Sequence, residues 1–394
     1  MADRQLVLER VTQESSRGSD WRAKWEVFKR TFPHQDHPFS KREWGGPSHS
    51  MCSYQGKMKP SLAHHLIEVF SNPGDIVVDP FSGSGTIPFE ACRMERAGYG
   101  MDISRLGHIL TLGKVGCPVP AKVDRLLAEL ERYISSYILT SADQEGAAAV
   151  RFNSSIPDYF HVDTFREVIA ARRFFLDRWD TGPEWALLYS CTMHLLHGNR
   201  PYALSRNSHP VTPYSPTGPF EYRALMPRLI DKLGRLNGDL FTTTRSYGGS
   251  AQGDCTTNWP DNIPEADAII TSPPFFASTR FYMTNWMRFW FSGWERPDFD
   301  SMPVDYVENR QKIDLDVYKP FFAACRDRLS KKGLLVLHLG DSKKCDMGLE
   351  LSKRVLPWFK VADCFTESVE HCESHGIRDK GSVTGHTYLV LVTA

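Results

Sequence analysis

The sequence predicts an α/β fold, a doubly wound Rossmann-like sheet with a mainly helical insertion. A β-branched run, Ile76 to Val78, ends in Asp79, a glycine-bearing turn and a helical pattern. About twenty residues later a second short strand pattern closes on Asp102. A third, Ala266 to Thr271, stops at two consecutive prolines. Strands that alternate with helices indicate βαβ units and a parallel sheet, which binds its ligands at the carboxyl ends of the strands.

The composition is that of a soluble globular protein. Of 394 residues, 41% are hydrophobic and 24% are charged. The 47 basic and 47 acidic residues cancel, which excludes a polycationic nucleic-acid binder, so any such contact must come from a local basic cleft. Nine cysteines without a CxxC pair or a Cys/His cluster indicate reduced thiols and no metal site. The charged amino terminus, and the lack of an apolar run of about eighteen residues, indicate a cytoplasmic protein without a membrane anchor.

The residues before the central strand predict two helices joined by a loop. The first helix is expected over 21–32. Pro60 suits the first turn of the second helix, where its missing N–H is not needed. Tyr54 and Lys57 precede that helix. They lie either at the edge of a cofactor pocket or in a plain surface loop.

Helical patterns dominate the middle of the chain, and the α/β pattern resumes after Gly249. Helices are expected over 103–112, 123–134, 165–179, 185–197 and 318–329, and strands over 334–339, 361–370 and 386–393. The predicted division is an extension over 1–48, a catalytic core over 49–139 with 251–394, and a mainly helical insertion over 140–250.

The turn after the first strand suits a nucleoside cofactor. The two glycines of Phe81 to Gly85 let the backbone approach a ligand closely. Asp102 is placed to accept both ribose hydroxyls, and Asp254 offers an acceptor to an adenine. There is no GKS or GKT signature of an ATPase, and Pro88 replaces the third glycine of the nicotinamide fingerprint. Taken alone, the turn is also compatible with a generic dinucleotide site or a structural turn.

The stretch Ser272 to Phe275, SPPF, predicts recognition of an amino group on a flat ring. The exocyclic nitrogen of cytosine or adenine is a poor nucleophile because its lone pair is delocalised into the ring. A serine hydroxyl and a proline carbonyl that accept its two hydrogens favour tetrahedral geometry, which frees the lone pair to attack an activated methyl group. Phe275 can stack on the base, worth about 1–3 kcal/mol. The base must leave the duplex to reach such a site.

Together the two motifs resemble those of the amino-methylating DNA methyltransferases that use S-adenosylmethionine. DPFSGSGT at 79–86 is similar to their cofactor motif, and TSPPF at 271–275 to their catalytic motif. The resemblance implies a methyltransferase sheet, double-stranded DNA as substrate, and cytosine N4 as the target atom, because Asp/Asn-Pro-Pro usually accompanies adenine N6. Implied cofactor contacts are Tyr54, Lys57, Asp79, Phe81, Gly83, Gly85, Thr86, Asp102 and Asp254, and implied catalytic residues are Ser272, Pro273, Pro274 and Phe275. Phe275 departs from the commoner tyrosine, which keeps the stacking ring and loses a hydroxyl.

The order of the motifs resembles the arrangement in which the segment between them recognises the target. Its proline-rich loop interleaves guanidinium and aromatic groups, which suits phosphates and stacked bases, although a plain polar loop has a similar composition. The DNA-binding candidates are Arg200, Arg206, Tyr214 and Arg223. The aromatic stretch 276–300 is expected near the flipped base, and Gly340 to Ser342 form either a second approach to that base or a plain turn. A restriction endonuclease that acts separately, in a bacterial or phage defence system, is the expected partner.

Three alternatives stay open. Adenine N6 methylation shares every step of the chemistry. An RNA base methyltransferase shares the cofactor site, but an extension of only 48 residues leaves little room for an RNA-binding domain. A non-catalytic nucleic-acid binder with a vestigial pocket is disfavoured by the intact SPPF. Cytosine C5 methylation is disfavoured because it needs a cysteine nucleophile, usually after proline, and the sequence has no Pro-Cys dipeptide.

Overall fold

The protein was analysed as a computed structural model that describes residues 21–394 except 42, 55, 179, 181, 202–210, 212, 241–246, 258, 277–280, 343 and 369–382. Its strands are β1 (Ile76–Asp79), β2 (Ala97–Asp102), β3 (Gly249–Gln252), β4 (Ala266–Thr271), β5 (Leu329–Ser342), β6 (Phe359–Ser368) and β7 (Val383–Thr393). They form one sheet in the order β3-β2-β1-β4-β5-β7-β6. Every neighbouring pair is parallel except those that β7 makes with β5 and β6. The predicted α/β class and doubly wound sheet are confirmed.

Helices cover both faces of the sheet and extend beyond it. Those before the sequence-predicted insertion are α1 (Trp21–Thr31), α2 (Pro60–Phe70), α3 (Thr86–Arg93), α4 (Arg105–Val115) and α5 (Pro120–Ser136). Those within it are α6 (Ser141–Ala149), α7 (Val162–Asp177), α8 (Pro183–His194) and α9 (Leu225–Leu240). Those after it are α10 (Phe281–Thr284), α11 (Trp286–Phe291), α12 (Asp298–Ser301), α13 (Val307–Arg310), α14 (Tyr318–Asp327) and α15 (Met347–Ser352). No helix in these described ranges is long and apolar enough to cross a membrane.

The central strand is buried on both sides because successive side chains of a strand point to opposite faces. Val77 joins an apolar cluster with Trp25 of α1 and Leu66 of α2. Val78, the next residue, joins a different cluster with Phe321 of α14. The amino-terminal helix α1 therefore covers one face of the sheet, where the Trp25 indole also donates to the Asp363 carboxylate at 2.7 Å.

The helical insertion and the core share one apolar cluster. Ile109 of α4, Leu188 of α8 and Trp290 of α11 all belong to it, and all are fully buried. Phe175 of α7 stacks on Tyr189 of α8 at a centroid distance of 4.4 Å. Since these helices pack on α4, the insertion is fixed against the sheet beside the candidate site.

The largest difference from the expected element boundaries is at the start of β5. The sequence predicts a helix to 329 and a strand from 334, yet β5 begins at Leu329. Leu329 already pairs with Ala266, and the register then shifts, because the next pair is Ala268 with Leu334 and the extra residues lie on β5. Gly333 lets Leu329 fold closely against it, because a Cβ at Gly333 would lie 2.6 Å from Leu329 Cγ. Gly333, which the sequence analysis places between a helix and a strand, therefore lies within β5.

Candidate active site

The two motifs meet at one edge of the sheet. β1 and β4 are parallel neighbours, with Val78 opposite Ile269, so both carboxyl ends lie together. The Thr271 hydroxyl donates to the Asp79 carboxylate at 2.6 Å, and the amide N–H of Phe81 donates to the same oxygen at 3.0 Å. Burial raises the pKa of Asp79 to about 7, although both of these hydrogen bonds act in the opposite direction. The cofactor motif and the catalytic motif are therefore joined directly.

The glycine turn has the open backbone that the sequence predicts. Gly83 and Gly85 adopt positive φ angles of 49° and 72°, a region that L side chains rarely enter. A Cβ on Gly83 would lie 2.8 Å from the Tyr54 hydroxyl, and one on Gly85 would lie 2.8 Å from Thr111 Cα. The turn is thus closed on one side by its neighbours and tolerates no side chain at either glycine.

Asp102 is tied to the same turn. Its Oδ2 accepts from the Gly83 N–H at 2.9 Å, and its Oδ1 accepts from the Ser104 N–H at 2.8 Å and hydroxyl at 2.6 Å. Burial raises the pKa of Asp102 above its usual value, against the effect of these hydrogen bonds. Both lone pairs of Oδ1 are used, but Oδ2 has one left, so Asp102 can still accept from a ligand hydroxyl.

Asp254 lies just beyond β3, at the same edge. Its Oδ1 accepts from the Thr256 N–H and hydroxyl, both at 2.8 Å, and its Oδ2 pairs with Arg310 at 3.1 Å. The half-exposed Arg310 guanidinium therefore neutralises this acid. An adenine contact at Asp254 would share the carboxylate with Arg310.

The remaining predicted cofactor contacts also flank the turn. Tyr54 reaches Gly83, whereas the Lys57 ammonium donates to the His49 carbonyl at 3.0 Å. The Phe81 ring packs on Phe321 of α14 at a centroid distance of 5.4 Å. Thr86, at the start of α3, is buried, and its hydroxyl lies 3.2 Å from that of Ser84. All of them line or support the turn.

Sequence reasoning missed Lys114. This side chain is 2% exposed and donates to the Ser84 carbonyl at 2.6 Å, so it anchors the glycine turn from beneath. Burial, together with the positive charge of nearby Lys57, lowers the pKa of Lys114 to about 7. The available signal was a single lysine within the otherwise apolar pattern of α4, since an unpaired ammonium is costly to bury.

Ser272 is arranged as a hydrogen-bond acceptor. Its hydroxyl donates its one hydrogen to the His338 carbonyl at 3.0 Å and lies 3.1 Å from His338 Nδ1. Burial, with the nearby His386, holds the pKa of His338 well below its usual range, so this imidazole is neutral. Because the hydroxyl hydrogen is already used, Nδ1 carries the ring proton and donates to Ser272. One lone pair of the hydroxyl is left for a further donor.

The Phe275 ring packs against β5 at Gly340, where the strand carries no side chain. A Cβ on Gly340 would lie 2.3 Å from its ring. The ring is half-buried, and its centroid lies 5.6 Å from that of His338 and 5.9 Å from that of His386. Gly340 therefore determines where the phenyl ring of the catalytic motif can lie.

A second residue that sequence reasoning missed is Gln311, just after α13. Its amide donates to the carbonyl of Pro274 at 3.0 Å. No motif marks this position, because the residue reaches the turn from 37 positions further along the chain.

The aromatic stretch 276–300 differs from expectation. Trp286, Phe289, Trp290 and Phe291 are fully buried in the helical core and present no face to a base. Among the described residues of the stretch, Phe281 contacts Tyr54 beside the glycine turn at a centroid distance of 5.0 Å. The sequence pattern could not distinguish an aromatic residue that is buried in the core from one that stacks on a base, because the same residue types serve both roles.

Two of the four predicted DNA-binding residues, Arg200 and Arg223, form hydrogen bonds within the protein. Arg200 donates to the carbonyls of Gly218 and Asp158, and its guanidinium lies 3.7 Å from the Phe220 ring centroid. Arg223 donates to the Gly198 carbonyl at 2.8 Å and pairs with Glu221. Tyr214 is half-buried, and Arg206 lies outside the described residues. Their role in DNA binding stays a prediction.

Comparison with known proteins agrees with the cofactor side of this site. Residues 6–106 match the N6/N4 methyltransferase family model described as DNA methylase. Over these residues the chain is similar to the amino-DNA methyltransferase family, in agreement with the resemblance that the sequence motifs predict. The match includes the glycine turn and Asp102, and it ends before the SPPF turn.

Three curated relatives carry the same family resemblance. The chain is 27% identical over 106 residues to the Type II methyltransferase M.MjaII of Methanocaldococcus jannaschii, covering 27% of this chain and 20% of that protein. It is 47% identical over 59 residues to M.HpaI of Haemophilus parainfluenzae, covering 14% and 19%. It is 29% identical over 119 residues to M.MvaI of Kocuria varians, covering 29% and 25%. The matches thus span a quarter or less of each relative.

Among solved structures, the chain aligns with TrmN from Thermus thermophilus. The alignment covers 89% of this chain and 53% of that protein, at 14% identity and a TM-score of 0.37. This likeness is too weak to indicate a function.

The match to the DNA methylase family model supports S-adenosylmethionine, the cofactor that the sequence predicts. The glycine turn fits such a group, because its backbone is open at Gly83 and Asp102 is fixed beside it with accepting capacity to spare. Tyr54 and Phe81 add aromatic surface on either side of the turn. The residues that would hold the cofactor are therefore already assembled.

Proposed function

We propose that this methyltransferase transfers a methyl group from S-adenosylmethionine to the exocyclic N4 of cytosine in double-stranded DNA, after the base has flipped out of the helix. The observation that carries the proposal is the hydrogen bond from Thr271 to Asp79. It joins the turn that suits the cofactor to the turn that suits an amino group, so donor and acceptor would bind side by side.

The roles of the chain's own residues follow from their contacts. Asp102 and the glycine turn would bind the cofactor, which supplies an activated methyl group on a sulfonium. The Ser272 hydroxyl has one lone pair left after its contacts with His338 and would accept one amino hydrogen. The Pro273 carbonyl would accept the other. With both hydrogens held, the nitrogen lone pair would turn out of the ring plane toward the methyl group. As the new nitrogen–carbon bond forms, the methyl–sulfur bond would break to leave a neutral thioether, and the methylated nitrogen would release one proton to water.

Phe275 would stack on the extruded base. Its ring already lies in place on Gly340, so little ordering is needed when the base arrives. The target amine is out of reach inside a duplex, which is why flipping is part of the proposal. The carbonyl acceptor belongs to a turn with two prolines, whose fixed φ angles limit reorganisation.

The serine at the first position of SPPF supports cytosine N4 over adenine N6 as the target atom.

We extend the proposal to site-specific recognition of DNA by the helical insertion 140–250, with Arg200, Arg206, Tyr214 and Arg223 as candidate contacts. The relatives are Type II methyltransferases by name, which supports a separate restriction endonuclease as partner.

Methyl transfer from labelled S-adenosylmethionine to duplex DNA, denatured DNA and RNA tests the proposal. Mixed genomic DNA that lacks methylation serves as substrate, because the recognised sequence is not assumed. Nucleoside analysis of the duplex sample is expected to yield N4-methylcytosine. Label in N6-methyladenine would select the alternative target, and label in RNA alone would overturn the DNA assignment.

A further inference from the structure

A buried amide supports the acceptor turn from behind. Gln311 is 1% exposed, and its Nε2 donates to the Pro274 carbonyl at 3.0 Å and lies 3.5 Å from the Phe275 carbonyl. At the other end of the amide, Oε1 accepts from the Tyr318 hydroxyl at 2.9 Å. One side chain thus contacts two consecutive carbonyls of SPPF.

The orientation of this amide is determined by its neighbours. Two carbonyl oxygens face one end, and only the NH₂ group can donate to them. The Tyr318 hydroxyl faces the other end and donates to the amide oxygen. A flipped amide would put its own oxygen against the Pro274 carbonyl and lose that bond.

The support is itself rigid. The Gln311 N–H donates to the Val307 carbonyl at 2.9 Å, which continues α13 by one residue. The preceding residue, Arg310, pairs with Asp254 at 3.1 Å, and Tyr318 is 1% exposed on α14. A single short segment therefore contacts both the acid at the cofactor edge and the acceptor turn.

We infer that Gln311 is the positioning residue of the acceptor turn, an inference that rests on the proposed function. Prolines have no N–H, so Pro273 and Pro274 cannot anchor the turn by donating to a neighbouring strand. An amide that holds the carbonyls of Pro274 and Phe275 fixes the peptide planes on either side of Phe275, directly after the two prolines. That leaves the Ser272 hydroxyl and the Pro273 carbonyl aimed at the amine.

Three variants test this inference in the full-length protein with duplex DNA. Gln311→Leu removes the donor, and kcat is expected to fall about 100-fold, the usual consequence of a small misplacement of reacting groups. Cofactor affinity, measured by calorimetry, is expected to stay within threefold. Tyr318→Phe frees the amide oxygen and is expected to lower kcat less. Glu129→Leu, a polar-to-leucine change at an exposed position on α5 outside the insertion, is the control and is expected to behave as the wild type.

Gln311→Glu separates positioning from simple space filling. Its carboxylate would repel the two carbonyls, whereas the protonated acid can donate one hydrogen to them. Burial raises the pKa of such an acid. The kcat of this variant, relative to wild type, is therefore expected to recover as the pH is lowered from 8 to 6, which a merely structural role would not produce.

Each result decides between outcomes. Normal kcat in Gln311→Leu, or parallel pH profiles for Gln311→Glu and wild type, would overturn the inference and leave the proposed function intact. Loss of cofactor affinity together with kcat would also overturn it, since the residue would then maintain the whole site. A wild type that methylates no nucleic acid would overturn the proposed function and this inference with it.

Discussion

The Thr271 hydroxyl donates to the buried Asp79 carboxylate at 2.6 Å, linking the ends of two strands that are 192 positions apart in the chain. This contact joins the two halves of the proposed site. Loss of the Thr271 hydroxyl alone would remove this contact.

Thr271→Val is expected to lower the free energy of unfolding by about 1–3 kcal/mol, because the variant keeps the shape and leaves a buried carboxylate short of a donor. Urea denaturation followed by fluorescence measures the change. Thr257→Val, at an exposed position where the hydroxyl bonds a backbone carbonyl, is the control and is expected to shift stability far less. Equal stability of Thr271→Val and wild type would mean that the contact contributes nothing.

Gly340→Ala is expected to displace the Phe275 ring, since the added methyl group would lie 2.3 Å from it. Methyl transfer is then expected to fall at least tenfold, while cofactor affinity stays near normal. Steady-state transfer and calorimetry provide the two readouts. Gly146→Ala, in an exposed helix with open space around the new Cβ, is the control. Unchanged transfer in Gly340→Ala would show that the ring position does not matter.

Lys114→Met is expected to weaken cofactor binding about tenfold, because a hydrogen bond from a charged group contributes about 1.5–3 kcal/mol and the Ser84 carbonyl would lose its donor. Calorimetric titration with S-adenosylmethionine measures the change. Lys122→Met removes an exposed lysine on α5 and is expected to bind normally. If both variants bind alike, Lys114 does not support the turn.

Stability is expected to fall as the pH drops below about 6.5, the unperturbed pKa of histidine. His49 and His108 are buried, and burial lowers the pKa of each to about 4. Between these two values the unfolded chain binds protons that the folded chain does not, so acid favours unfolding. Each histidine contributes up to about 1.4 kcal/mol per pH unit in that window.

Urea denaturation at pH 7, 6 and 5 measures the net loss. Asp79, whose pKa burial raises to about 7, binds a proton in the folded chain over this range and offsets the contribution of one histidine. His108→Gln is expected to flatten the dependence, because glutamine cannot be protonated there. A free energy of unfolding that is constant from pH 7 to pH 5 would contradict the assignment of neutral buried histidines.

Much of the fold was predictable because it follows from local patterns. The β-branched run before Asp79 and the apolar run before the two prolines both became buried strands, and their motifs met at the expected edge. The residues that support the site were not predictable. Lys114 acts through the Ser84 carbonyl and Gln311 through the carbonyls of Pro274 and Phe275, and such contacts depend on tertiary packing that leaves no spacing in the sequence.

The loop arginines illustrate the same limit. A mixture of arginine and tyrosine predicts phosphate contacts equally well whether the guanidinium is available or not. In the fold, Arg200 already donates to backbone carbonyls of its own loop region. The composition therefore predicted a polar, aromatic loop, but the hydrogen bonds of Arg200 became clear only from the structure.

The division of work between the two turns is tested most directly by Ser272→Ala, assayed in parallel for S-adenosylmethionine binding by calorimetry and for methyl transfer to DNA. Ser135→Ala, on the exposed side of α5, is the matched control. The account predicts that Ser272→Ala binds the cofactor within threefold of wild type and transfers no measurable methyl group. Retained transfer, or loss of cofactor binding, would contradict it.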